Sequence, residues 1–111
     1  MNRTRYYLYA YVEDCRMAEK YHEVSILFNN LKEAESYYNQ FNGKEIFDEE
    51  ILINDLHEIR YVIRIDEYLN GNIISLVKAK YNVLDLESFY PNFWNLFNIL
   101  SNIKANKKTK F

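Results

Sequence analysis

Cys15 and His22 are a nucleophile and a base by type, and Asp55, His57 and Glu58 have the composition of an acid–base or metal cluster. Spacing assembles neither group. Nothing in the sequence orients Cys15 against His22, and a lone Cys beside a loop is ordinarily inert. On a helix Asp55 and Glu58 share a face while His57 lies off it. One Cys and two His in 111 residues are too few for a structural zinc site. Two glycines exclude the usual Gly-rich phosphate cradle. The chain therefore reads as a non-enzymatic protein, with no catalytic residue, metal or cofactor implied.

What remains conspicuous is aromatic and cationic: eleven Tyr and seven Phe, many of the tyrosines in alternation. Over residues 4–13, Tyr6, Leu8, Ala10 and Val12 point one way and Arg5, Tyr7, Tyr9, Tyr11 and Glu13 the other, which is a strand with an aliphatic and a tyrosine face. A second strand runs from about Lys20 to Asn29, with Val24, Ile26 and Phe28 on its aliphatic face and Tyr21, Glu23, Ser25 and Leu27 opposite. Asn30 then caps a helix, with Glu33 placed for a capping box. Leu31, Ala34, Tyr38 and Phe41 form its apolar stripe, and Asn42-Gly43 ends it with glycine free to turn left-handed.

Residues 44–58 carry Glu45, Asp48, Glu49, Glu50, Asp55 and Glu58 against Lys44 alone, leaving this stretch at −5 in a chain of net charge −2. Phe47, Leu52, Leu56 and Ile59 fit a short helix over about 48–57, capped at Asp48. Ile51-Leu52-Ile53 equally reads as a short buried strand; the helix is preferred. From Ile59 to Tyr68, Ile59, Tyr61, Ile63 and Ile65 alternate with Arg60, Val62, Arg64 and Asp66, and Asn70-Gly71 follows as a hairpin signal. A two-residue turn sets Ile63 beside Lys78 and Tyr61 beside Lys80. A three-residue loop, Leu69-Asn70-Gly71 with a bulged glycine, sets Ile63 beside Val77, Tyr61 beside Ala79 and Ile59 beside Tyr81. Burial favours the second, because a one-residue slip exchanges a strand's faces. In the last helix, Phe93, Leu96, Phe97, Leu100 and Ile103 form the stripe. Pro91 either opens this helix after a turn at 85–90 or kinks its first turn.

The predicted order is β-β-α-(α)-β-β-α: an α+β two-layer sandwich in which a four-stranded antiparallel sheet carries helices on one face. One domain spans residues 1–104, and 105–111 form a basic, frayed tail. Glu35-Ser36-Tyr37-Tyr38-Asn39-Gln40-Phe41 is echoed by Glu87-Ser88-Phe89-Tyr90-Pro91-Asn92-Phe93, which raises an internal ββα duplication against chance in so Tyr-, Phe- and Asn-rich a chain. The single Cys excludes an internal disulfide and suits a reducing compartment. With no signal-peptide pattern and no apolar run long enough for a bilayer, a cytoplasmic, soluble protein without membrane contact is expected.

The sheet face opposite the helices is then the place to look. It is predicted to carry Tyr7, Tyr9, Tyr11 and Tyr21 with Arg5, Arg60, Arg64, Lys78 and Lys80. Tyr and Arg dominate protein interfaces, and rings with interleaved cations also suit single-stranded nucleic acid. Glu13, Glu23 and Asp66 on the same face count against the latter. The acidic residues Glu45, Asp48, Glu49 and Glu50 form a second candidate surface for a protein partner. A third reading buries the tyrosine face between protomers of a homodimer. A fourth covers it with residues 44–58.

The run Leu27-Phe28-Asn29-Asn30-Leu31-Lys32-Glu33-Ala34-Glu35-Ser36-Tyr37 resembles one found in many small phage proteins. In size, hairpin-then-helix layout and aromatic–acidic composition the chain is similar to some small anti-CRISPR inhibitors. The resemblance covers eleven of 111 residues and carries over no site residues. It implies a stoichiometric phage or mobile-element inhibitor that blocks a host defence complex by binding a host protein surface.

Overall fold

In chain order the elements are β1 (Arg5–Asp14), β2 (Glu19–Phe28), α1 (Leu31–Tyr38), β3 (Lys44–Ile46), β4 (Ile59–Leu69), β5 (Asn72–Val83) and α2 (Pro91–Lys108), in a computed structural model that describes residues 4–14, 17, 19–47, 59–83 and 91–108. The strands form one antiparallel sheet ordered β2-β1-β4-β5-β3. The α+β class and the single antiparallel sheet are as the sequence predicts. The strand count is not: β3, three residues of the acidic stretch, adds a fifth strand against β5. The helix preferred over about 48–57 lies outside the described residues.

Both helices pack on one face of the sheet. The core there joins Leu8, Ala10 and Val12 of β1, Val24, Ile26 and Phe28 of β2, and Tyr61, Ile63 and Ile65 of β4 to Ala34, Tyr38 and Phe41 and to Phe93, Leu96 and Leu100. These are the aliphatic sets of the alternating strands and the apolar stripes of the helices, so period-2 and period-3.6 patterns converge on one layer. Phe93 is the hub: its ring lies 4.7 Å from Tyr61, 5.2 Å from Trp94, 5.8 Å from Phe97 and 5.9 Å from Phe41.

The Asn30 side chain accepts from the Glu33 backbone N–H at 2.8 Å, the N-cap bond that the sequence calls for. The C-terminal expectation is corrected. Helix α1 ends at Tyr38, before Asn42-Gly43, and the only glycine with positive φ is Gly71. Gly43 serves a close approach instead: a Cβ there would lie 2.9 Å from the Tyr81 carbonyl oxygen and from the Phe41 ring. Helix α2 starts at Pro91, where a missing N–H costs nothing and the fixed φ suits a first turn. It runs to Lys108, into the stretch read as tail. The two echoing stretches touch: besides the Phe41–Phe93 contact, the Asn92 amide donates to the Gln40 carbonyl (2.8 Å) and accepts from the Asn42 N–H (2.7 Å).

Two bulge systems correct the sequence-derived register. Asn70 (φ 53°) and Gly71 (φ 87°) form a two-residue turn flanked by the pair Leu69–Asn72, the geometry in which both central residues take positive φ. Away from it the ladder slips twice, leaving Ile74 and Val77 as extra residues, so that Ile65 faces Lys78 and Ile63 faces Lys80. The three-residue loop and its Ile63–Val77 pairing are therefore wrong, and Lys78 and Lys80 stand on the helix side. In the other hairpin the ladder passes from Ala10–Val24 to Val12–Tyr21. The extra residue lies on β2, where His22 has a φ of 52°, so Tyr21 falls opposite Val12 and Lys20 opposite Glu13.

Candidate functional site: the tyrosine face of the sheet

On the face away from the helices, β1 presents Arg5, Tyr7, Tyr9, Tyr11 and Glu13, and β4 presents Arg60, Val62, Arg64, Asp66 and Tyr68 beside them. The centre of this face is a second small core. Tyr11, Val62, Ala79 and Ile46 are buried, with Tyr9, Leu76 and Tyr81 packed against them. Its charges are matched in place. Arg60, 2% exposed, sends Nε and Nη2 to Glu13 Oε2, both at 3.2 Å, with its guanidinium 5.7 Å from the Tyr81 ring centre. Arg64 grips Asp66 through two bonds, Nε–Oδ2 at 3.0 Å and Nη2–Oδ1 at 2.8 Å. A forked guanidinium–carboxylate pair at such depth neutralises both partners. Burial pushes the Tyr11 hydroxyl up to about 12, Glu13 adding to the rise while Arg64 and Arg60 oppose it.

Toward one end and along the β2 side the face is more open. Tyr7, Tyr9 and Tyr68 are half-buried and hold one another. Tyr7 stacks on Tyr68 (6.2 Å, 17° between planes) and meets Tyr9 edge-on (6.3 Å), and Tyr9 tilts against Tyr11 (4.5 Å). The Tyr7 hydroxyl donates to Ser25 Oγ at 2.8 Å, and the Tyr9 hydroxyl donates to the Glu23 carboxylate. Cations lie on the rings: Arg5 over Tyr68 at 5.7 Å, and Lys20 over Tyr9 at 5.3 Å and Tyr11 at 4.8 Å. Lys104 reaches from α2 round the β2 edge, its Nζ 3.4 Å from Ser25 Oγ.

The sequence-derived candidates thus separate. Arg5, Tyr7 and Tyr9 are together on the open part of the face. Tyr11, Arg60 and Arg64 share the face but belong to its buried, internally paired centre. Tyr21 stands opposite Val12 instead of beside the tyrosine row, exposed, with its hydroxyl on Glu19 at 2.6 Å. Lys78 and Lys80 serve α1 on the other side. Lys78 pairs with Glu35 at 2.5 Å. Lys80 donates to the carbonyls of Tyr38 (3.3 Å) and Phe41 (3.1 Å) and lies 4.5 Å over the Tyr38 ring, supplying positive charge where a helix end exposes carbonyls. Burial pulls the Lys80 ammonium below its usual range, with Glu45 opposing. Glu45 accepts from the Tyr38 hydroxyl at 2.8 Å; this bond and, above all, burial push that hydroxyl up. Asp48, Glu49 and Glu50 lie outside the described residues.

Three residues of the face escape the sequence reading. Tyr68 continues the alternation of Arg60, Arg64 and Asp66 and was legible there. Lys20 takes its place only through the His22 bulge, and Lys104 only through the packing of α2.

The His22 and Trp94 rings meet at near right angles, 5.1 Å apart; Cys15 lies outside the described residues. Among the described residues no three His, Cys, Asp or Glu side chains are grouped to hold a metal ion, and no described helix is long and apolar enough to cross a membrane. Comparison with protein-family models, characterised proteins and solved structures finds no match for this chain.

Proposed function

We propose that the protein is a non-enzymatic binding module that engages another protein through the open part of its tyrosine face, centred on Tyr7, Tyr9 and Tyr68 with Arg5 at the rim. The observation that carries this reading is the interlocked, half-exposed ring row. Rings held by each other and by hydroxyl bonds to Ser25 and Glu23 lose little rotamer freedom on binding, which is what makes tyrosine an effective interface anchor. The same contacts weigh against a nucleic-acid platform. Base stacking needs free ring faces, whereas here Tyr7 and Tyr68 stack on each other and Arg5 and Lys20 lie over Tyr68, Tyr9 and Tyr11. The resemblance to small phage-encoded inhibitors of the anti-CRISPR type extends the proposal to stoichiometric inhibition of a host defence complex.

The test is affinity capture from a host lysate with the wild-type chain and with a Tyr7→Ala/Tyr9→Ala/Tyr68→Ala variant, folding of both checked by circular dichroism. Truncating a hot-spot tyrosine costs about 2 kcal/mol or more, so the folded variant should lose the captured protein. Unchanged capture would move the interface elsewhere. Tyr11 is kept out of this variant because, at 1% exposure, it belongs to the core.

A further inference from the structure

We infer that the tyrosine face takes an acidic, extended segment of a protein partner. This rests on the protein-binding reading above and specifies the chemistry of its partner.

The cations of this face fall into two groups. Arg60 and Arg64 are matched to Glu13 and Asp66. Arg5, Lys20 and Lys104 border the ring row, and among the described residues none of them has an ion-pair partner: Arg5 and Lys20 contact only ring faces and Lys104 only a hydroxyl. A cation held on an aromatic face keeps donors free for a carboxylate. The nearby acidic groups do not fill that role. Glu13 is taken by Arg60, Asp66 by Arg64, and Glu23 by the Tyr9 hydroxyl.

Their placement follows the ring row. The Arg5 guanidinium lies over Tyr68, the Lys104 ammonium is held at Ser25, which stands opposite Tyr9, and Lys20, although its backbone stands opposite Glu13, puts its ammonium over the Tyr9 and Tyr11 rings. The three positive charges therefore flank the rings along β1, and an extended segment lying along that strand meets them with carboxylates on one of its faces, which alternate residues share, beside Tyr7 and Tyr9. Because the ring faces are already covered, the attraction is for carboxylates and not for stacked bases.

The test titrates 15N-labelled protein by NMR with three probes: a nine-residue peptide with Glu at positions 3, 5 and 7 and Ser or Thr elsewhere, its counterpart with Gln at those positions, and a dT oligonucleotide of similar length. The Glu peptide should bind about tenfold tighter than the Gln counterpart, with shifts at Arg5, Tyr7, Tyr9, Ser25 and Tyr68. An Arg5→Glu/Lys20→Glu/Lys104→Glu variant should lose that binding, whereas Lys32→Glu on exposed α1 should not. Equal affinity for the two peptides, no binding of the Glu peptide, unchanged binding by the triple variant, or preference for the oligonucleotide would overturn the inference. Capture lost on removing Tyr7, Tyr9 and Tyr68 but indifferent to charge reversal would overturn it while leaving the protein-binding reading intact.

Discussion

The two faces of the sheet hold similar aromatic material and put it to opposite use. On the helix side Phe41, Tyr61, Phe93, Trp94 and Phe97 form a ring cluster walled in by α1 and α2. On the other side Tyr7, Tyr9 and Tyr68 form a comparable row on which no described element packs, and it stays half-exposed. Charge divides in the same way. Lys78 and Lys80 are spent on α1 itself and Arg60 and Arg64 on carboxylates of their own face, whereas Arg5, Lys20 and Lys104 beside the open rings make no ion pair among the described residues. What makes a row of rings a core or a surface here is the second wall, not the rings.

Mutations that treat the faces unequally test this contrast. Phe93→Ala, at the hub of the ring cluster, should cost about 3–5 kcal/mol in urea unfolding, enough to threaten a domain of ordinary stability. Asp66→Ala takes its carboxylate away from the largely buried Arg64 guanidinium and should cost about 2–4 kcal/mol, measured in the same way; a loss below ~1 kcal/mol would mean that the pair is effectively solvated. By contrast, Tyr68→Ala on the open row should cost about 1 kcal/mol or less while weakening partner binding. If it destabilised as much as Phe93→Ala, the row would be core and the distinction would fail.

Alkali should act through the buried tyrosines. The folded-state pKa of Tyr11 is raised from 10.0 to about 12, so between those values the unfolded chain releases a proton that the folded chain keeps. Stability is full below pH 10 and falls as pH rises toward 12, by roughly 2–3 kcal/mol for Tyr11 alone. Tyr38 is shifted in the same direction and steepens the loss. Tyr11→Phe should flatten the pH dependence of the urea midpoint above pH 10.

How much of this was legible follows from which signals are local. The faces of β1 and β4 and the Asn30 cap could be read because alternation and capping are properties of neighbouring residues. The bulges could not. A positive φ at His22 has no side-chain signature, yet it exchanges Tyr21 for Lys20 on the open face. Bulges at Val77 and Ile74 let a two-residue turn coexist with buried isoleucines, so the burial argument picked the wrong register and with it the wrong side for Lys78 and Lys80. Nor does alternation distinguish Tyr11 from Tyr7. Only its place between Tyr9, Arg64 and Val62 in the assembled sheet buries one and leaves the other half-open.

The most direct test of the open tyrosine face is an aromatic 13C–1H NMR spectrum of the protein with assigned rings, recorded free and saturated with the protein it captures. The rings of Tyr7, Tyr9 and Tyr68 should shift or broaden, while Tyr37, Trp94 and Phe97 on the helix side keep their positions. Changes confined to the helix-side rings, with the Tyr7–Tyr68 stack undisturbed, would contradict the account.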